Sequence, residues 1–224
     1  MTKAIYGVYG ASGCGRGIMP LARQQLARAG VADRQLVFID DDPGDGSPNR
    51  EINGHRIVSF QQFLALSDSG NRYAALAIAS GPIRSRLYDR CLANGVSVWT
   101  VQAEATVIMD DVQIGAGALL SPFVTITSNI RIGRCFHGNL YSYVEHDSVI
   151  GDFVTFAPGA KCNGNVHIGD YAYIGSGAVL KQGTLKSPLV IGTGAVVGMG
   201  AVVTRNVPPG VTVVGNPARP LIKD

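Results

Sequence analysis

The chain has 224 residues, of which 46% are apolar or aromatic and 16% charged, with a formal net charge of +3. That balance belongs to a core-forming globular chain and excludes an intrinsically disordered one. Lys and Arg are scattered in ones and twos, which excludes a phosphate-tracking nucleic-acid surface, and Gly, Asp, Asn or Arg interrupts every apolar run long enough to span a membrane.

Met1 leads straight into a strand pattern, without the charged, apolar and small-residue zones of a secretory leader, so a cytoplasmic chain is expected. Ala4–Tyr9 reads as a strand, Ile18–Ala29 as a helix, Leu36–Ile39 as a second strand and Phe60–Leu66 as a short helix. Tyr73–Ala79 follows as a strand, Pro82–Ala93 as a helix opened by proline, and Val96–Thr100 as a strand. Alternation of this kind predicts a parallel sheet built from βαβ units, which makes residues 1–103 a small α/β domain of Rossmann-like type. The turn Gly10-Ala11-Ser12-Gly13-Cys14-Gly15 lies between a strand and a helix, where backbone N–H groups hold phosphate. Asp40 then ends the second strand as a ribose-binding acid would, which by itself reads as a dinucleotide site. A tight structural turn explains the same glycines without a ligand.

From about Glu104 the helical pattern stops and a period of six begins. Ile108, Ile114, Leu120, Ile126, Ile132, Gly138, Val144, Ile150, Phe156, Cys162, Ile168, Ile174 and Leu180 keep one phase, and only Gly138 breaks its apolar character. Small or apolar residues recur four places after many of these anchors, among them Ala118, Val124, Phe136, Val154, Ala160 and Ala178. Strands of a sandwich alternate with period two, so a constant six-residue unit predicts a parallel β-helix over residues 104–224, three units to a coil. The phase slips between Leu180 and Ile191 around Ser187-Pro188, which predicts a local loop. A β-helix in place of a second mononucleotide half removes the dehydrogenase reading.

Cys14, Cys91, Cys135 and Cys162 are widely spaced and form no C-x-x-C, so reduced thiols are expected and no structural metal. His137, His146 and His167 are nine and twenty-one residues apart and cannot stack on successive eighteen-residue coils, which argues against a metal-dependent hydratase on this fold. Adding one coil to His146 gives Gly164, so that glycine should lie beside the histidine, in the turn Cys162-Asn163-Gly164-Asn165.

The segments YGASGCG (9–15), IDDD (39–42), EHDSVIGDFVTFAPGAKCNGNVHIGD (145–170), VVGMGAVVTRNVPPG (196–210) and VVGNPAR (213–219) together resemble a bacterial family of hexapeptide-repeat acetyltransferases. That family contains sialic acid O-acetyltransferases and nucleotide-amino-sugar N-acetyltransferases. The resemblance covers nearly the whole chain, and it implies a left-handed coil, acetyl-CoA as co-substrate, no metal, and a homotrimer with sites at subunit boundaries. It implies N-acetylation of a nucleotide-activated amino sugar in bacterial glycan biosynthesis, with O-acetylation of a sugar hydroxyl as the alternative.

By the same resemblance His146 is the catalytic base, Asp147 its partner, and the Gly164 N–H the donor to the acetyl carbonyl. Asn139 would face the sugar; Thr155, Gly175, Ala178 and Gly198 would lie along acetyl-CoA; and Gly10, Ser12, Gly13, Cys14, Asp40 and Asp41 would hold the nucleotide. Two departures stand out: Thr155 replaces a second histidine common in the group, and Cys14 stands where relatives often carry histidine. His137 and His167, outside the motif, are expected at the surface or at a subunit interface.

Overall fold

Runs of β-branched and aromatic residues form the first strands of the computed structural model, which describes residues 4–42, 50–68 and 70–221. Strand β1 (Ile5–Tyr9) leads through the glycine-rich turn into helix α1 (Gly13–Arg28), and a 3₁₀ turn at Asp33–Gln35 precedes β2 (Leu36–Ile39). Next come β3 (Glu51–Ile52), β4 (His55–Val58), α2 (Phe60–Ala65), β5 (Arg72–Leu76), α3 (Gly81–Ala93) and β6 (Val96–Val98). Ser59 caps α2, its hydroxyl accepting from the Gln62 N–H while the Gln62 side chain accepts from the Ser59 N–H.

The sheet order is β3-β4-β2-β1-β5-β6, parallel throughout except for the β3–β4 hairpin. The chain runs outward from β1 on one side through β2 and β4, then returns on the other with β5 and β6. Strand order therefore reverses at β1, and open parallel sheets bind ligands at the carboxyl ends of strands at such a reversal. The glycine-rich turn sits at that end of β1.

The second half is a stack of two- and three-residue strands in three parallel faces. Cross-strand partners are eighteen residues apart, as in Ile126↔Val144, Val144↔Cys162 and Ile150↔Ile168. Between Val166 and Leu189 the step grows to twenty-three, and the five extra residues form the loop around the paired Thr184 and Ser187. The phase slip in the sequence is that loop.

The six-residue anchors from Leu120 to Leu180 point into one interior, together with Ala118, Val124, Ile130, Phe136, Val154, Ala160, Val166, Ala172 and Ala178. Gly138 breaks the apolar series because Phe136 uses its space: a Cβ there would meet the Phe136 ring at 3.1 Å. Phe136 in turn packs edge-on against Phe156.

The chain divides into one compact unit that runs through Ala79 and includes Ile83–Gln102, and another that runs from Ala103 and includes Ser80–Pro82. No helix of the described residues is long and apolar enough to cross a membrane. His137 departs from its expected place. It pairs in register with Leu119 and Thr155 on one face, and all three are buried, so that this outward row is covered at His137. His167 is exposed.

Candidate active site

Each coil turns three corners, and one series of corners falls at Asp111, Asn129, Asp147 and Asn165, all with φ between 49° and 60°. Asp and Asn are the side-chain-bearing residues that tolerate this left-handed conformation best, which accounts for their recurrence every eighteen residues. At the third of these corners Asp147 Oδ2 lies 2.8 Å from His146 Nδ1. A carboxylate only accepts, so Nδ1 carries the proton, and in the neutral ring Nε2 presents its lone pair. The His146 side chain is 45% exposed and that of Asp147 32%, open enough to meet a substrate.

Gly164 lies one coil further on, as the spacing predicted. A Cβ on it would stand 2.5 Å from both Cε1 and Nε2 of His146, so the imidazole occupies the volume that any larger residue would need. Gly164 is buried and its carbonyl accepts from the Gly183 N–H, while its own N–H meets no acceptor among the described residues. Corner geometry leaves that donor unused, and at this coil the unused donor sits next to the histidine. The neighbouring Asn163 takes a hydrogen bond from the Tyr143 hydroxyl at 2.8 Å, and Asn165 bonds back to the His146 carbonyl at 2.9 Å. Burial first, then Glu145 and Cys162, raise the Tyr143 pKa, so its hydroxyl stays protonated and donates.

The remaining residues expected along the coil have separate places. Asn139 donates one N–H of its side-chain amide to the Phe156 carbonyl at 2.6 Å, which leaves its Oδ1 and second N–H to meet a substrate, and no contact joins it to His146 among the described residues. Ala178 directs its methyl into the core, and its N–H and C=O are both bonded within the coil. Gly175 and Gly198 bond to Val197 and Val213 one coil on, and Thr155 is a buried strand residue. Cys162 is fully buried and points inward, and desolvation pushes its thiol far above the ordinary range.

In the N-terminal unit, the turn after β1 is built for close approach. Gly10 has φ +102°, and a Cβ on Gly15 would fall 1.7 Å from the Gly10 carbonyl oxygen, so α1 seats directly against the strand end. Ser12 precedes the helix without capping it, no acid stands in the first turn, and Ser12 and Gly13 are exposed. The first-turn N–H groups thus face outward with the helix dipole behind them, an arrangement that attracts phosphate. Cys14 is half-buried beside them; burial raises its pKa against the opposing charge of Arg84.

Asp40 is drawn into this turn, Oδ2 accepting from the Ala11 N–H at 3.0 Å and Oδ1 from the Asp42 N–H at 3.1 Å. Asp41 faces another way. Its carboxylate accepts from the Tyr9 hydroxyl, the Phe60 N–H and Arg90, whose guanidinium also lies over the Phe60 ring at 4.3 Å. Desolvation raises its pKa, but those three donors outweigh it, and the carboxyl is held below the usual range. Asp41 is therefore committed to structure, whereas Asp40 organises the loop.

Residues 147–182 match the family described as bacterial transferase hexapeptide (six repeats). A GDP-perosamine N-acetyltransferase of Escherichia coli O157:H7 is 49% identical over 217 residues, which cover 97% of this chain and 96% of that protein. The chain belongs to the bacterial hexapeptide-repeat sugar acetyltransferases. The structure of WeeI from Acinetobacter baumannii AYE superposes with a TM-score of 0.90 at 54% identity, over 97% of this chain and 99% of that one. The acetyltransferase domain of PglB from Neisseria gonorrhoeae FA1090, in complex with acetyl coenzyme A, gives 0.84 at 26% identity, over 98% and 100%.

Several parts of this acetyltransferase have no mark in the sequence pattern. Ser148 is fully buried behind the His146–Asp147 corner, its hydroxyl accepting from the Val166 N–H at 3.2 Å, and Ser142 is buried one repeat earlier. Both occupy positions that the repeat reserves for small residues, which was the available hint. Asn165 Oδ1 is buried without a hydrogen-bond partner among the described residues. Arg84 is wholly buried in α3 and donates to the carbonyls of Ile78 and Ala79, which extends the end of β5 beside the glycine-rich turn. Nothing local distinguishes Arg84 from the exposed arginines of the same helix.

Proposed function

We propose that this chain transfers the acetyl group of acetyl-CoA to the amino group of a nucleotide-linked amino sugar of the GDP-perosamine kind. The observation that carries the reading is the His146 imidazole, oriented by Asp147 and resting on Gly164, beside an N–H with nothing to bond. The amine nitrogen attacks the thioester carbonyl, forming the C–N bond while Nε2 of His146 takes the amine proton. The Gly164 N–H holds the carbonyl oxygen as it gains charge, and the C–S bond breaks to release CoA, which leaves with a proton. No acyl-enzyme is required, and the inward, protonated Cys162 is a poor nucleophile.

The α/β unit holds the nucleotide at the Gly10–Cys14 turn with Asp40, and the coil, read as left-handed, holds acetyl-CoA. The exposed stacked pair Phe123 and Tyr141, at 53% and 64%, with Leu140, Val107 and Met109 also exposed, supports assembly into a homotrimer. Release of CoA thiol from acetyl-CoA, followed with GDP-perosamine, UDP- and dTDP-amino sugars and sialic acid as acceptors, tests the reading. Turnover with the GDP-linked amine is expected; turnover confined to hydroxyl acceptors would overturn it.

A further inference from the structure

At the end of the N-terminal sheet opposite the glycine-rich turn, where β2 begins and the β3–β4 hairpin turns, lies a cavity of about 330 Å³. It is lined by Asp33, Arg34, Leu36, Gly54, His55 and Arg56. That volume falls at the lower end of small-ligand clefts, about 300–1,000 Å³. His55 is only 4% exposed, yet neither ring nitrogen has a hydrogen-bond partner among the described residues. Its one specific neighbour is Phe38, edge-on at 6.2 Å, which fixes the plane of the imidazole without satisfying it. Neither ring nitrogen is among the fully buried polar atoms left without a partner, so the polar edge of the imidazole reaches the open space of the cavity it lines, where a ligand could meet it.

The charges around it point the same way. Arg34 and Arg56 line the cavity, and neither has a carboxylate within ion-pair distance among the described residues, although Asp33 lines the same wall and Glu51 faces Arg56 across the hairpin. Two unpaired guanidiniums and an imidazole make a donor-rich site in which only one wall residue is an acid. Guanidinium forks match phosphate oxygens in geometry as well as charge.

We propose that this cavity binds a small phosphorylated anion, held by Arg34, Arg56 and His55, at a site separate from the glycine-rich turn. The inference rests on the N-terminal unit alone and does not depend on the acetyltransfer reading. The ligand's phosphate could be free or belong to a nucleotide, and the two sources are separable. Equilibrium dialysis of the full-length protein with labelled inorganic phosphate, in saturating GDP, is expected to retain one phosphate per chain. Arg34→Gln with Arg56→Gln, both at exposed positions, should weaken that binding by roughly tenfold or more. In dialysis with labelled GDP, one GDP per chain in both proteins assigns the cavity to free phosphate. Two per chain falling to one in the variant assigns it to nucleotide phosphate. Absence of any GDP binding would sink the nucleotide reading of the glycine-rich turn and leave the phosphate result standing. The proposal is overturned if neither anion occupies a second site, or if the double variant binds both like the parent.

Discussion

Replacing Gly164 by alanine separates the space this residue leaves from the N–H it supplies, because alanine keeps the N–H. Gly164 does not adopt a positive φ, so the backbone accepts an L residue, and the whole perturbation is the added methyl. That methyl would lie 2.5 Å from Nε2 and Cε1 of His146, whereas ordinary contact begins at 3.4 Å, so the ring must retreat by about 0.9 Å. Displacing a reacting group by about 1 Å costs on the order of 10²-fold in rate. The ring is the partly exposed end of a side chain, so it yields before the coil does, and destabilisation should stay at or below the roughly 1–3 kcal/mol typical of small-to-large changes. Thiol release measured at saturating acetyl-CoA should therefore show kcat down by about 10², with the melting temperature lowered by no more than about 10 °C, so that the protein stays folded under assay. If the glycine acts through the ring, Gly164→Ala in a His146→Ala background adds almost no further loss. A Gly164→Ala enzyme within threefold of the parent, or losses that multiply in the double variant, would refute the reasoning.

His146→Ala should lower kcat by about 10²–10⁴ with the KM for acetyl-CoA little changed, and Asp147→Asn should cost less, since it orients the base without replacing it. Steady-state kinetics on both variants checks the order. Cys162→Ser should retain most turnover, and initial-rate patterns should intersect; parallel lines or an acetylated cysteine found by mass spectrometry would contradict direct transfer. Asp41 is stabilised in its ionised form, so its contribution to stability is present above the unfolded carboxyl value of about 3.9 and is lost as pH falls through the lower folded value. The melting temperature of Asp41→Asn should accordingly lie below that of the parent at neutral pH and converge with it on acidification below about pH 4. Sedimentation velocity should return three times the chain mass at micromolar concentration, and a Tyr141→Glu variant should shift the species toward the monomer.

The coil was legible because its period is enforced by packing: each anchor must enter one shared interior, and a slipped residue would expose a whole face. The strand and helix alternation of the first half was legible for the same reason, and α1 merely starts earlier, at Gly13, than its apolar stripe at Ile18 suggests. The β3–β4 hairpin was missed although Asn53-Gly54 lies between its strands, both residues with positive φ, as a tight hairpin turn requires. His146 and Gly164 could be paired by counting one coil. Asp41 could not be separated from Asp40, because the groups that claim it, Tyr9 and Arg90, lie 32 and 49 residues away along the chain. His137 was misplaced because the period says which residues point outward but not which outward rows are covered.

The corner ladder at positions 111, 129, 147 and 165 gives the proposed catalytic geometry a kind of translational freedom. Ser128 and Asn129 stand one coil before His146 and Asp147, and the two coils share hydrogen-bond register, so the backbone there already offers the same berth. What is absent is chemical: an imidazole at 128, a carboxylate at 129, and a glycine at 146 to leave room for the ring. A reactive group can thus be moved along such a scaffold in whole-coil steps by exchanging three residues, with no loop to redesign. In a repetitive coil the address of the site is written in side chains alone, and the frame is indifferent to which rung carries it.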